Sequence, residues 1–340
     1  MPAKDPGAVI EPTSSVLERM NAQLATVDDE YTRHFTSPTR PVSFVVATPR
    51  SASTLFQQLV CSTLSVGCVS NIMARFWMAP FIGATLEQDL HDPRFVSALR
   101  SYGRHYNPAN AHEPHEWGWF WRRWLKLDGT SCYCASDQEL DARGLSQKLS
   151  AIESIRDAPL LFDNLYAMCN LDRLAAMLPR VLAIHLRRPP YYVANSILNA
   201  RIDRYGDINA FFGHRPRNYD ELVKIDDPVE QVVAQVQAIR REMDETLARF
   251  ADDDVLTVDY IDLIQSPQRI MHRFADFLAS HGAPVERRDP MPEFPQLRDR
   301  NSSAFVRSEH ADRLAAHVTA YFGPDAVPSH KPAAGLFLAG

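Results

Sequence analysis

Short apolar runs bounded by polar or proline-rich breaks alternate along this chain with longer segments whose apolar residues recur at helical spacing. Residues 43–47, 159–162, 181–186 and 255–258 are rich in branched and aromatic side chains and read as strands. A Thr13-Ser14-Ser15 cap precedes a helical pattern over 16–27, expected to pack on the outside of the domain. Helical spacing resumes at Leu55, with Leu59 and Val60 on one side, and returns over 145–155, 171–178, 191–200, 228–250, 267–278 and 304–322. Residues 69–90 read as a helix broken near Pro80. Strands alternating with helices predict an α/β fold with a central parallel sheet and helices on both faces.

Breaks in the pattern set the remaining organisation. Residues 99–114 read as loop, 137–143 as an exposed polar stretch, and 284–295, with four prolines, as an extended connection. Residues 204–228, rich in Gly, Asn, Asp and Pro, read as a long surface loop placed to act as a substrate lid. The expected division is an N-terminal extension and helix over 1–40, one domain over 41–325 and a tail over 326–340. The chain carries no internal repeat.

Composition narrows the function. The apolar fraction, 45% of 340 residues, is ample for a core, and the net charge of −6 comes without a long Lys/Arg run, which disfavours nucleic acid as a partner. No run of about 18 apolar residues is present to span a membrane, and residues 1–15 lack the apolar segment of a leader. Five cysteines, an odd number, point to reduced thiols and a cytoplasmic location. Cys132-Tyr133-Cys134 has no second Cys or His pair at finger spacing, so a metal is not expected there.

The first strand and helix enclose the most informative stretch, PVSFVVATPRSASTLFQQLV from Pro41 to Val60. A strand, a tight polar loop and a helix start make an anion site, because the first helical turn has unpaired N–H donors and a partial positive charge. Ser51, Ser53 and Thr54 add hydroxyls, and Arg50 adds a planar cation suited to tetrahedral oxyanions. The loop lacks the glycines and lysine of a Walker A sequence. Arg187 and Arg188 end the third strand, so both basic groups are expected on one rim of the sheet.

Pro49-Arg50-Ser51-Ala52-Ser53-Thr54-Leu55 resembles the 5′-phosphosulfate loop, P-R-S-G-S/T-T-L, of sulfotransferases that use 3′-phosphoadenosine-5′-phosphosulfate (PAPS). Alanine stands at the usual glycine. Arg188, Pro190 and Ser196 match the family's 3′-phosphate motif, with Pro189 at its Asp/Asn. Val258-Asp259-Tyr260-Ile261-Asp262-Leu263 is similar to V-x-Y-E-D-L, placing Tyr260 toward the adenine end of the donor. Residues 298–303, with Arg300 and Asn301, lie where the family carries a basic loop over the 3′-phosphate. The resemblance implies a P-loop-like three-layer fold, PAPS as donor, and a hydroxyl or amine of a small molecule as acceptor.

The acceptor side rests on His115, Glu116 and the aromatic stretch Trp117, Trp119, Phe120, Trp121 and Trp124. Those aromatics read either as core or as the wall of an acceptor pocket. His-Glu before them resembles a bacterial branch with H-E-F/W-G-Y/W-F-W, which makes His115 and Glu116 the candidate bases, His115 favoured, with His112 and Glu113 as spares. Asp163 follows the second strand where many members keep a lysine. The rival readings are a nucleotide-binding relative without transfer activity and a kinase-type phosphoryl transferase.

Overall fold

A computed structural model of the protein describes residues 15–89, 111–287, 297–301 and 306–328. Four strands, β1 (Val42–Ala47), β2 (Leu160–Phe162), β3 (Val181–Arg187) and β4 (Val255–Asp259), form one parallel sheet in the order β2-β1-β3-β4. Val42 pairs with Leu160 on one side and Val181 on the other, and Ala183 pairs with Val255. All six residues of β1 are buried. That is the signature of a strand covered on both faces, and it explains why β1 is apolar at every position but Ser43.

The helices follow in order as α1 (Ser15–Thr32), α2 (Ser53–Thr63), α3 (Pro80–Asp89), α4 (Gly118–Trp124), α5 (Ala142–Arg156), α6 (Leu165–Cys169), α7 (Leu171–Met177), α8 (Pro190–Tyr205), α9 (Tyr219–Leu222), α10 (Pro228–Leu247), α11 (Tyr260–Gln265), α12 (Pro267–Ser280) and α13 (Ser308–Phe322). Val42, Phe44 and Val46 face a layer built from α4, α5 and α7, while Val45 and Ala47 face Leu55, Phe56, Leu59 and Phe274 of α2 and α12. This alternation is the period-two geometry of a strand sandwiched between helical layers. Helices α8, α10 and α13 pack on one another around Val193, Ile197, Val232, Val236 and Leu314. The three-layer expectation therefore holds.

Three local expectations change, and a fourth, the first helix on the outside, gains its anchors. Pro80 starts α3 rather than interrupting a helix, the position where its missing N–H costs nothing. Residues 204–228 are not a bare surface loop: they contain α9, and Phe212, His214 and Leu222 are buried. Gln235 on α10 clamps this segment by donating to the Phe212 and His214 carbonyls at 2.9 and 2.8 Å. Cys61 and Cys68 are not free thiols but a disulfide. Cys61 lies in the last turn of α2, and the chain reverses at once through Gly67, where an added Cβ would meet the Leu160 side chain at 2.7 Å. Finally, α1 is bolted to the domain through buried polar groups. Asn21 donates to the Arg75 carbonyl (2.7 Å), and the buried Asp28 takes Lys148 Nζ at 2.7 Å and the Ile82 amide at 2.9 Å. Most of the expected loop over 99–114, Ser302, Ser303 and the end of the tail lie outside the described residues.

Candidate functional site

The carboxyl ends of β1 and β3 carry adjacent loops, because the two strands are neighbours in register from Val42–Val181 to Ala47–Leu186. After Ala47 the chain turns through Thr48–Ala52 with two non-glycine residues in the left-handed region, Arg50 at φ 70° and Ala52 at φ 69°. Each costs about 1–2 kcal/mol of local strain. Thr48 Oγ1 and Ser51 Oγ share a hydrogen bond of 2.6 Å, which turns the nearly buried Ser51 hydroxyl inward. Ser53, Thr54 and Leu55 form the first turn of α2. Leu55 fills the core, so only its backbone faces the loop, and no side chain caps this helix start. Those first-turn N–H groups are the anion donors expected from the sequence.

Helix α8 after β3 also begins without a side-chain cap, at Pro189 with Pro190 in its first turn. Arg188 is nearly buried and ties four pieces together. It donates to the Arg50 carbonyl (2.6 Å), Asn301 Oδ1 (2.8 Å) and the Arg300 carbonyl (3.0 Å), and lies 4.6 Å over the Tyr260 ring. The Tyr260 hydroxyl accepts the Arg300 amide at 2.9 Å. Arg50 Nε donates to Ser196 Oγ at 3.1 Å. Arg50, Arg188, Ser196, Tyr260, Arg300 and Asn301, drawn from positions far apart in sequence, thus converge.

The electrostatics of that convergence are one-sided. Burial, followed by repulsion from Arg204, Arg300 and Arg188, pushes the Arg50 guanidinium down to about 10. Burial also lowers Arg188. Gathering four guanidiniums in a half-buried rim beside two open helix starts is costly until anionic charge arrives. Arg204 was not singled out in the sequence. It lies two turns beyond Ser196 on the same helix, a spacing that returns to a similar face.

The other side of the rim follows β2. Glu116 and Asp163 lie close enough to interact, and Asn164 Nδ2 holds the Glu116 carbonyl at 2.8 Å. Asn164 also caps α6 by accepting the Ala167 amide at 2.9 Å. Glu116 is exposed to solvent. Protein packed beside it first, and the Asp163 charge second, raise its carboxyl, to about 8. His115 differs. Its Nδ1 accepts the Trp117 amide N–H at 2.8 Å, which assigns the ring proton to Nε2. Burial and then Arg75 lower its pKa to about 4, so it stays a neutral donor. In this geometry His115 Nδ1 is occupied and its Nε2 is a donor, while Glu116 is the carboxylate of the adjacent pair.

The aromatic stretch belongs mainly to the core. Trp117, at φ 56°, stacks on Phe120 with ring centroids 3.8 Å apart, and Trp121 packs edge-on against Phe44 and Phe162. Trp117, Phe120 and Trp121 are all fully buried and present no surface to a ligand, while Trp119 is half-buried against Trp77. The spares separate as well. Glu113 is buried and accepts Gln58 Nε2 of α2 at 2.8 Å, which makes it a brace between the two motifs. Among the described residues, no group of His, Cys, Asp and Glu is arranged to hold a metal, and no helix is long and apolar enough to cross a membrane.

A family profile described as "Sulfotransferase family" matches residues 41–284. Among solved structures, sulfotransferase STF9 from Mycobacterium avium is similar at 13% identity and a TM-score of 0.51, over 77% of this chain and 69% of that one. Sulfotransferase STF1 from Mycobacterium tuberculosis H37Rv is similar at 15% identity and a TM-score of 0.48, over 78% of each chain. No curated protein sequence matches.

Proposed function

We propose, from the premise that the chain belongs to the sulfotransferase family, that it moves a sulfuryl group from PAPS to a hydroxyl or amine of a small-molecule acceptor. The observation that carries this reading is the cluster of Arg50, Arg188, Arg204 and Arg300 at two uncapped helix starts. A donor with a 5′-phosphosulfate and a 3′-phosphate supplies the two separated anionic groups that such a cluster favours.

In the proposed reaction the acceptor oxygen or nitrogen bonds to sulfur while the sulfur–oxygen bond to the 5′-phosphate breaks. The acceptor proton goes to Glu116, and 3′-phosphoadenosine-5′-phosphate leaves. Arg50 and the first turn of α2 offset the charge that builds on the leaving phosphate. Arg188, Ser196, Tyr260, Arg300 and Asn301 hold the nucleotide end, and His115 Nε2–H is a donor beside the acceptor. A cytoplasmic location accords with a soluble nucleotide donor.

One observation favours a second reading. Asp163, at the place where many family members carry a cation, adds negative charge beside Glu116. A protein that binds the nucleotide without transferring sulfate would tolerate it. Incubation with PAPS and a metabolite extract, followed by mass spectrometry for sulfated products, separates the two. Calorimetry with 3′-phosphoadenosine-5′-phosphate tests the donor site by itself. Transfer together with nucleotide binding is expected. In Arg50→Ala both should drop at least tenfold, since a charged hydrogen bond to phosphate is worth about 1.5–3 kcal/mol. An Arg50→Ala protein that binds as tightly as wild type would sink the donor-site assignment.

A further inference from the structure

A second cluster of reactive side chains lies outside the donor site. Cys132, in the chain between α4 and α5, and Cys169, the last residue of α6, bring their thiols close enough to interact. Cys169 Sγ is 3.2 Å from His214 Nε2. The Tyr133 hydroxyl lies 2.7 Å from the same nitrogen and donates to Glu242. Asn170 locks the two cysteine segments in place: its Nδ2 donates to the Cys132 carbonyl and its Oδ1 accepts the Cys134 amide, both at 2.8 Å.

The hydrogen bonds run one way. With the Tyr133 proton given to Glu242, the hydroxyl oxygen can accept from His214, which puts the ring proton on Nε2. That N–H also reaches Cys169, and the Cys169 S–H then points to Cys132. The backbone N–H of Arg215 adds a second donor to the Cys132 sulfur, and the Arg215 and Arg122 guanidiniums add positive charge. Burial of His214, whose pKa falls to about 3, keeps the ring neutral. Donors converging on one sulfur stabilise its thiolate. The hydrogen bond from Cys169 is the largest cause lowering the Cys132 thiol, while burial raises Cys169. Cys132 is buried, and Cys169 is the partly exposed member of the pair.

We propose that Cys132 and Cys169 are a redox-active dithiol, a modification site for peroxide-class oxidants. The Cys132 thiolate attacks one peroxide oxygen, the O–O bond breaks, and hydroxide leaves to become water with the proton Cys132 gave up. The Cys132 sulfenic acid so formed is attacked by the Cys169 sulfur. An S–S bond forms, the S–O bond breaks, and the hydroxide leaves as water with the Cys169 proton. Two thiols and one hydrogen peroxide give one disulfide and two waters. Cys134 is the internal contrast, since its thiol donates to the Leu125 carbonyl at 3.1 Å and burial raises its pKa.

The test needs no activity assay, so it stands apart from the sulfotransferase reading. Full-length protein, kept without reductant so that Cys61–Cys68 stays closed, is treated with hydrogen peroxide, blocked with iodoacetamide and mapped by peptide mass spectrometry without reduction. A Cys132–Cys169 cross-link is expected, with Cys132 consumed at least about tenfold faster than Cys134. In Cys169→Ser the sulfenic acid on Cys132 should persist and be trapped by dimedone. Cys134→Ser should cross-link as wild type does, with near-UV circular dichroism reporting that each variant is folded. A Cys132–Cys134 link, equal loss of Cys132 and Cys134, or Cys132 left fully alkylatable would each overturn the assignment.

Discussion

Ala52 holds a backbone conformation, φ 69°, that suits glycine, and the loop it belongs to is otherwise of the sulfotransferase type. Relieving left-handed strain gains about 1–2 kcal/mol, and the greater freedom of glycine in the unfolded chain takes back about 0.4–1 kcal/mol. Ala52→Gly should therefore raise the melting temperature, by roughly 2 °C, in a thermal scan; a lower melting temperature would show that the alanine methyl packs usefully. Glu116 makes a second residue-scale prediction. Its raised pKa means that the basic form grows as pH rises through about 8, so kcat should climb with pH and level off above that value. Glu116→Gln should cost at least about a hundredfold in kcat with nucleotide affinity intact, and His115→Gln less than about tenfold. Asp163→Asn removes a repulsive charge and should move the pH–rate midpoint downward. An unmoved midpoint would mean that Asp163 does not act on Glu116. The motif residues were legible because each is a local pattern. The tautomer of His115 and the burial of Trp117, Phe120 and Trp121 were not, because they depend on the fold around Phe44 and Phe162, which no window of the sequence contains.

Secondary structure at the level of elements came through the hydrophobic pattern well, and the reasons are physical. Strands β1 and β2 are buried on both faces, β3 is buried along most of its length and the edge strand β4 alternates buried and half-buried residues, and each lies within one or two residues of the boundaries expected from apolar content. Helix α6 is not legible in the sequence pattern, being five residues long and too short to show a period. The segment over 204–228 was misread because its polar residues mark turns, while the contacts that bury Phe212 and His214 come from Gln235 on α10. Arg188 couples elements most directly, joining the ends of β1 and β3 to residues 300–301 and to Tyr260 of α11. Arg188→Ala should weaken 3′-phosphoadenosine-5′-phosphate by about tenfold to a hundredfold, and adenosine monophosphate, which lacks the 3′-phosphate, much less. Calorimetry with both ligands measures the difference, and an unchanged ratio would remove Arg188 from the 3′-phosphate site.

For the whole molecule, the order β2-β1-β3-β4 places the two arginine-bearing loops on the central strands, and the proposed base, Glu116, lies beside the end of the edge strand β2. Nucleotide charge should then stabilise the fold as well as occupy it. A ligand at about a hundred times its Kd adds about 2.7 kcal/mol, so 3′-phosphoadenosine-5′-phosphate should raise the melting temperature in a concentration-dependent way, and Arg50→Ala should cut the shift at a given concentration by about half or more. An equal shift in the variant would place the ligand elsewhere. The ties of Arg188 to Asn301 and Arg300 bear on timing as well. In the proposed reaction the spent nucleotide keeps its 3′-phosphate, so it would leave through the same clasp that held the donor, after the sulfuryl group is gone and with nothing left to trade for the broken contacts. Departure of product is therefore expected to be the slow event of each turnover. Rapid mixing should show a first turnover that outpaces all later ones, and weakening the clasp at Asn301 should speed the cycle even as it loosens the grip on the donor.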